Sequence, residues 1–293
     1  MKVGFIGLGV MGEPMARHLR AAGHDLAVWA RRPASAAALV AEGVPLCATP
    51  AELAARSEVV ITIVTGSADV DALAFGADGL AAGFAPGTIH VDMSTIAPAM
   101  ARSLAERYAA RGIGFVDAPV SGGGQGARDA TLAIMAGAEA EALERVRPLL
   151  AAMGKRIVHI GPPGAGQVAK ACNQMIMVSA IQACAEAVRL ANAHGVDVAA
   201  VRTALMGGSA VSRVLEVMGG RMVERDFAAG IEARLHHKDF ALLMDEAGKL
   251  GAPLPVAAQV WQQLNALMGA GWGREDTSSL LRVLEASAPH GAG

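Results

Sequence analysis

GAGQVAKACNQMIMVSAIQACAEAVRLANA, residues 164–193, is where the character of the chain changes. After Gly166 it holds no glycine or proline, and it is rich in Ala, Met, Val and Gln, so it reads as one helix. At about 1.5 Å per residue such a helix is roughly 40 Å long. Between Met175 and Ala185 the only strong polar residue is Gln182, which predicts a middle buried nearly all round. Near its start Gln167, Lys170, Asn173 and Gln174 fall on one face. A lysine on such a helix, beside amide side chains, calls for a chemical explanation.

Upstream of this stretch, strand and helix patterns alternate. Apolar strand candidates lie at 2–6, 25–30, 59–64, 88–92, 114–117 and 156–160. Helical patterns lie at 13–22, 34–42, 50–56, 98–111 and 139–153. Alternation at these spacings predicts a parallel α/β sheet with helices on its faces, the doubly wound arrangement. Downstream only helical patterns follow, at 197–206, 211–225, 235–250, 255–268 and 277–286. Gly251 with Pro253 stops one of them, and Asp276 suits the N-cap of the last. The expected organisation is an α/β domain at 1–162 and an all-helical domain at 163–293, which begins with the connecting helix 164–193. The tail at 287–293, SAPHGAG, is expected to be disordered.

The composition excludes several functions. A net charge of −2 gives no electrostatic footprint for nucleic acid or a membrane surface. Aromatic residues make up only 3% of the 293-residue chain, too few for base-stacking platforms. No apolar run approaches the roughly 20 residues of a membrane span, and MKVGFIGLG does not read as a signal peptide. Cys47, Cys172 and Cys184 have no CxxC spacing and read as small buried hydrophobes in a reducing compartment, with no metal site. These features point to a cytoplasmic protein.

Gly7-Leu8-Gly9-Val10-Met11-Gly12 is GxGxxG, directly after a strand and opening a helix. Glycines there let the backbone approach a pyrophosphate, which the free N–H groups of the helix start then hold. The second strand runs into Arg31 and Arg32 rather than an acidic residue. That pair suits the 2′-phosphate of NADP, with NAD as the alternative; both arginines also read as solvated loop charges.

Three loops at strand ends carry further candidates. Val64 and Thr65 follow the central apolar strand and would line the cofactor. Asp92-Met93-Ser94-Thr95 offers hydroxyls to the nicotinamide end, or caps the next helix. Ser121-Gly122-Gly123-Gly124 exposes successive backbone N–H groups, a nest suited to a carboxylate, or forms a flexible loop. Lys170, expected to face an interdomain cleft with a pKa lowered by burial, would exchange a proton with a carbonyl oxygen, with Asn173 positioning it. The alternative is a lysine that snorkels to solvent. In His236-His237-Lys238-Asp239 the adjacent histidines do not share a helix face, which argues against a metal site.

Four motifs in order, GFIGLGVMGEPMA (4–16), DAPVSGG (117–123), GAGQVAKACNQ (164–174) and KDFALLMDEA (238–247), resemble the β-hydroxyacid dehydrogenase family. The resemblance implies a Rossmann-type NAD(P)-binding domain joined by a long helix to a helical domain, in a homodimer or homotetramer. It also implies reversible, NAD(P)-dependent reduction of a short semialdehyde acid to its 3-hydroxy acid. Lys170 would be the acid/base and Asn173 its assistant. Ser121, Gly122 and Gly123 would bind the substrate carboxylate, and Thr95 and Lys238 would contact the nicotinamide end. Ala30 stands where Asn is frequent in the family, and Ala130 where Gly is frequent.

Overall fold

In the computed structural model, which describes residues 1–287, the apolar runs of the first half become one eight-stranded sheet. Its strands are β1 (Lys2–Ile6), β2 (Asp25–Trp29), β3 (Val59–Thr62), β4 (Ile89–Asp92), β5 (Gly114–Asp117), β6 (Val120–Ser121), β7 (Leu132–Ala138) and β8 (Gly154–Gly161). The helices among them are α1 (Gly12–Ala21), α2 (Ala37–Ala41), α3 (Pro50–Ala55), α4 (Ser67–Phe75), α5 (Leu80–Gly83), α6 (Pro98–Ala109), α7 (Gly123–Arg128) and α8 (Ala140–Ala151). The strand order is β2-β1-β3-β4-β5-β7-β6, with β8 on β7.

Alternation along each strand splits the core into two layers. Val3, Phe5, Val59, Ile61, Ile89 and Val91 pack on one face with Met15 and Leu19 of α1 and Val146 and Leu149 of α8. Ile6, Val60 and Phe115 pack on the other with Leu53 of α3, Leu80 of α5, and Leu104 and Tyr108 of α6. Helices on both faces are the reason these strands read as continuous apolar runs.

The parallel expectation holds for β1 to β5. It fails for β7, which runs antiparallel to β5 and β6, while β8 lies parallel to β7. The only helix between β5 and β7 is α7. At about 1.5 Å per residue it is too short to carry the chain back along the sheet, so β7 starts from the same end. β7 reads LAIMAGA, and its alanines and glycine hid it from a propensity reading. Helices α4 and α5 also went unforeseen.

The chain divides into two compact units that meet between Lys170 and Ala171. That boundary falls inside α9 (Ala165–Ala193), the 29-residue helix expected from the opening stretch. The second unit adds α10 (Val198–Met206), α11 (Gly220–Glu224), α12 (Ala233–Leu250), α13 (Pro255–Gly269) and α14 (Leu280–Ala286). Its core joins Val178, Ile181 and Ala185 of α9 to Phe240, Leu264 and Leu281. Gly251 closes α12 in the left-handed region (φ 64°), and the Asp276 carboxylate accepts from Ser278 N in the short helical turn before α14.

Three expectations need correction. The middle of α9 is not buried all round: Ile176 is 68% exposed in the single chain. With Val168 and Cys172 it forms an exposed line at four-residue spacing, a narrow stripe facing away from the core. Cys172 is therefore exposed, unlike buried Cys47 and Cys184. The helix expected at 211–225 is interrupted by a π-helical turn, Leu215–Gly219. The Arg202 guanidinium donates to the carbonyls of Leu215 (3.4 Å) and Glu216 (2.7 Å) beside that turn. The tail expectation at 288–293 lies outside the described residues.

Candidate active site

The GxGxxG turn follows β1, and β1 sits between β2 and β3. The chain therefore winds in opposite directions from this point, the place where open α/β sheets gather ligands. Two of the three glycines are dictated by the protein. Gly7 has φ 103°, and a Cβ there would lie 2.0 Å from Ile63 O; a Cβ on Gly12 would lie 1.9 Å from Gly7 O. Gly9 differs, because its Cβ would meet nothing within 4 Å. Gly9 and Val10 are exposed, whereas the Leu8 side chain is buried in the core. Met11 precedes α1 without a side-chain cap, which leaves the helix start open to an anion. This cradle fits the pyrophosphate of a dinucleotide.

Arg31 and Arg32 follow β2 and are exposed. Arg31 Nη1 pairs with Asp69 Oδ1 of α4 at 3.2 Å. Val64 and Thr65 follow β3, and Val64 N donates to Ser94 Oγ at 2.8 Å. Behind that bond lies a buried polar row across β3 and β4. Thr62 Oγ1 and Ser94 Oγ both donate to Asp92 Oδ1 at 2.7 Å, and His90 Nε2 lies 2.9 Å from Thr62 Oγ1. Burial pushes the His90 imidazole down to about 3, so it is neutral.

Asp92 and Asp117 end adjacent strands and are register partners. Asp117 caps the start of α9: Oδ1 accepts from Gly164 N (2.6 Å) and Oδ2 from Gln167 N (3.0 Å). Burial raises its carboxyl to about 6 against the pull of those backbone bonds, and neighbouring Asp92 adds to the rise. The close approach needs glycine on both sides. A Cβ on Gly137 would lie 2.5 Å from Asp117 Oδ1, and one on Gly166 would lie 2.4 Å from Met135 O.

Lys170, only 7% exposed, does not snorkel. Its Nζ donates to Val120 O at 2.8 Å, at the foot of Ser121-Gly122-Gly123. Gly122 (φ 137°) and Gly123 (φ 62°) take backbone conformations that side chains disfavour. A Cβ on Gly124 would lie 3.0 Å from Val10 Cγ1, and His18 Nε2 contacts the carbonyls of Ala127 (3.1 Å) and Arg128 (2.9 Å). The serine–glycine loop thus lies against the GxGxxG turn, with the lysine at its other side. Thr95 is half-buried between two residues whose main chain Gln167 holds: Ser94 O accepts from Nε2 (2.9 Å) and Ile96 N donates to Oε1 (3.1 Å).

Asn173 and Lys238 belong to a separate network in the second unit. Asn173 Nδ2 donates to Gln174 Oε1 (3.0 Å), Gln174 Nε2 to Asp239 Oδ2 (2.5 Å), and Lys238 Nζ pairs with Asp239 Oδ1 (2.9 Å). The two histidines have structural partners. His236 Nδ1 lies 2.6 Å from Thr277 Oγ1, and His237 Nε2 lies 2.9 Å from Asn265 Oδ1 with its ring stacked on Trp261. Among the described residues no group of three or more His, Cys, Asp or Glu is placed to hold a metal ion, and no helix is long and apolar enough to cross a membrane.

Sequence reading grouped Gln167 and Gln174 with Lys170 and Asn173 on one face of α9 without giving the two glutamines partners, and it missed Asp117 and Asp239 as organisers of these networks. A signal was present for Asp117. Both β4 (IHVD) and β5 (GFVD) end Val-Asp, and a carboxylate closing a buried strand needs partners.

Comparison with known proteins agrees with this architecture. Residues 2–161 match the family model described as the NAD binding domain of 6-phosphogluconate dehydrogenase. Residues 164–284 match the one described as NAD-binding of NADP-dependent 3-hydroxyisobutyrate dehydrogenase. The chain is 40% identical to the 2-hydroxy-3-oxopropionate reductase of Escherichia coli K12, over 99% of both chains. It is 36% identical to the NAD-dependent L-serine dehydrogenase of Pseudomonas aeruginosa, over 97% of this chain and 98% of that one. The Mycobacterium tuberculosis 3-hydroxyisobutyrate dehydrogenase structure with L-serine superposes with a TM-score of 0.89 at 33% identity, covering 97% of this chain and 98% of that one. Family models over both halves and full-length identity place the chain in the β-hydroxyacid dehydrogenase family, as an NAD(P)-dependent oxidoreductase acting on a CH–OH group.

Proposed function

We propose that the protein reduces a short semialdehyde acid reversibly to its 3-hydroxy acid, with tartronate semialdehyde and glycerate as the preferred pair. A bound nicotinamide cofactor supplies or takes up the hydride. Lys170 delivers the matching proton to the carbonyl oxygen, or removes it from the hydroxyl in the oxidative direction. Ser121 and the N–H groups of Gly122 and Gly123 bind the substrate carboxylate, and Asn173 orients the reacting oxygen. Residues 7–12, Val64, Thr65 and Thr95 would hold the cofactor, and Lys238 would contact its nicotinamide end. The carrying observation is the Lys170 ammonium, buried and hydrogen-bonded at the foot of the serine–glycine loop.

The identity to the Escherichia coli reductase supports the substrate choice. Oxidation of 3-hydroxyisobutyrate is the second reading, favoured by the description of the model that covers residues 164–284. Exposed Arg31 and Arg32, where β2 itself ends in no acidic residue, support NADP over NAD, although Arg31 would have to share its guanidinium with Asp69 of α4. The domain boundary is proposed at 162/163, and the location is proposed to be the cytoplasm, in keeping with three free cysteines. The exposed apolar line on α9 supports a homodimer or homotetramer.

A substrate panel tests the reading. Tartronate semialdehyde, methylmalonate semialdehyde, glyoxylate and succinic semialdehyde are offered with NADPH and with NADH, to wild type and to Lys170→Ala. Wild-type turnover of one of them, lost in the variant, is the expected result. A variant with near wild-type kcat sinks the acid/base role, and a higher kcat/KM with NADH sinks the NADP preference.

A further inference from the structure

Lys170 and Thr95 come from different elements, and one side chain joins their main-chain frames. Gln167 lies three residues before Lys170 on α9 and is 1% exposed. Its carboxamide grips the peptide on both sides of Thr95, donating to Ser94 O at 2.9 Å and accepting from Ile96 N at 3.1 Å. Its own N–H is held by Asp117 Oδ2 at 3.0 Å. Residues three apart on a helix are neighbours, about 5–6 Å between Cβ atoms. The carboxamide that holds Thr95 therefore sits one turn from the lysine.

The same loop is held elsewhere, but by groups with no link to the lysine. Ser94 N donates to Asp92 Oδ1 (3.3 Å), and Ala97 N donates to Ser67 Oγ (3.1 Å). Of these contacts, only those of Gln167 tie the loop to the helix that carries Lys170. We propose that Gln167 is a positioning residue that fixes the Lys170 ammonium relative to Thr95, and so the proton donor relative to the nicotinamide end of the cofactor. This rests on the roles given above to Lys170 and Thr95. Both a donor and an acceptor are required of the side chain, which glutamine supplies and ionised glutamate does not.

Gln167→Met keeps the length and removes both bonds. Hydrogen exchange in the ligand-free protein reads the geometry without turnover. The Ile96 amide is expected to exchange at least ~10-fold faster, while the Gly164 and Gln167 amides, held by Asp117, keep their protection. In the holoenzyme kcat is expected to fall about 10- to 100-fold, the scale of small misplacements, with the dinucleotide Kd measured by fluorescence titration unchanged. Gln167→Glu supplies the rescue. Burial raises its carboxyl pKa, and the protonated acid again donates and accepts, so its kcat relative to wild type rises as pH falls.

Wild-type kcat in Gln167→Met overturns the proposal, as does unchanged exchange at Ile96. Loss of protection at Gly164 together with lost activity also overturns it, since the residue then only holds the fold. A pH-independent ratio for Gln167→Glu has the same force. Lys170→Ala is run in parallel. If it keeps its activity, the acid/base reading fails and takes this proposal with it; if it is inactive while Gln167→Met is normal, only the positioning role fails.

Discussion

Before Ala171 the polar side chains around α9 bind main-chain atoms; after it they bind one another. Asp117 takes two backbone N–H groups, Gln167 takes one and gives to a carbonyl, and Lys170 gives to a carbonyl. Asn173, Gln174, Asp239 and Lys238 form a chain of side-chain partners instead. Main-chain groups in or beside a sheet cannot turn to another rotamer, so the first set has one arrangement. Each member of the second set can rotate and choose again. The firmer half carries the proposed proton donor, as a reacting group requires.

The largest expected effect is on chemistry. Lys170→Ala should lower kcat by about 10²- to 10⁴-fold, the usual contribution of a positioned acid/base, with the melting temperature reported alongside. A small loss would move the reacting group out of the firm half and break the comparison.

Next come the two carboxylates. Asp117→Ala strands two buried N–H groups at a helix start and should cost about 2–4 kcal/mol in urea unfolding. Asp239→Ala should cost less, about 1–2 kcal/mol, because half-exposed Lys238 regains water. The reverse order would mean that the side-chain network is the firmer one.

A pH series sharpens this further. The Asp117 carboxyl is raised from 3.8 to about 6 on folding, so the folded state binds its proton more tightly. The stability this lends is fully present below about pH 4, is lost as pH rises toward about 6, and amounts to up to roughly 3 kcal/mol. Asp117→Asn should flatten that slope in unfolding free energies measured from pH 4 to 7, and Asp239→Asn should leave it in place.

The smallest effect concerns a backbone held against its preference. Ala130 sits at φ 52°, in the left-handed region that glycine tolerates best. Ala130→Gly should raise stability by about 0.5–1 kcal/mol by thermal unfolding, the strain relieved outweighing the entropy added to the unfolded chain.

What could be read from the residues follows the same division. Gly7 and Gly12 stand in a local strand–turn–helix pattern, so the glycine turn itself was visible, as were the long helix and its lysine. Asp117 was quoted only as the first letter of a loop motif, because its partners at Gly164 and Gln167 are 47 and 50 residues away. Nothing local says that Gln167 will grip the chain at Ser94 and Ile96. The antiparallel turn into β7 was hidden by alanine and glycine, which pack in that strand because the start of α9 approaches it closely. The exposure of Cys172 and Ile176 depends on which side of a mostly apolar helix meets the core, and composition does not carry that information.

The buried row from Val64 to His90 has a direction. Thr62 has one hydroxyl hydrogen, and Asp92 takes it. Toward His90 the threonine oxygen can therefore only accept, which fixes the hydrogen on Nε2 and leaves Nδ1, buried without a hydrogen-bond partner, bare. On the other side Ser94 gives its hydrogen to the same carboxylate oxygen and receives that of Val64 N. The arrows from both ends meet at Asp92. This one atom acts as the sink of a small circuit, and turning it into a source, as an amide nitrogen would, could reverse only the arm through Thr62 and His90, because the Val64 N–H in the other arm can do nothing but donate.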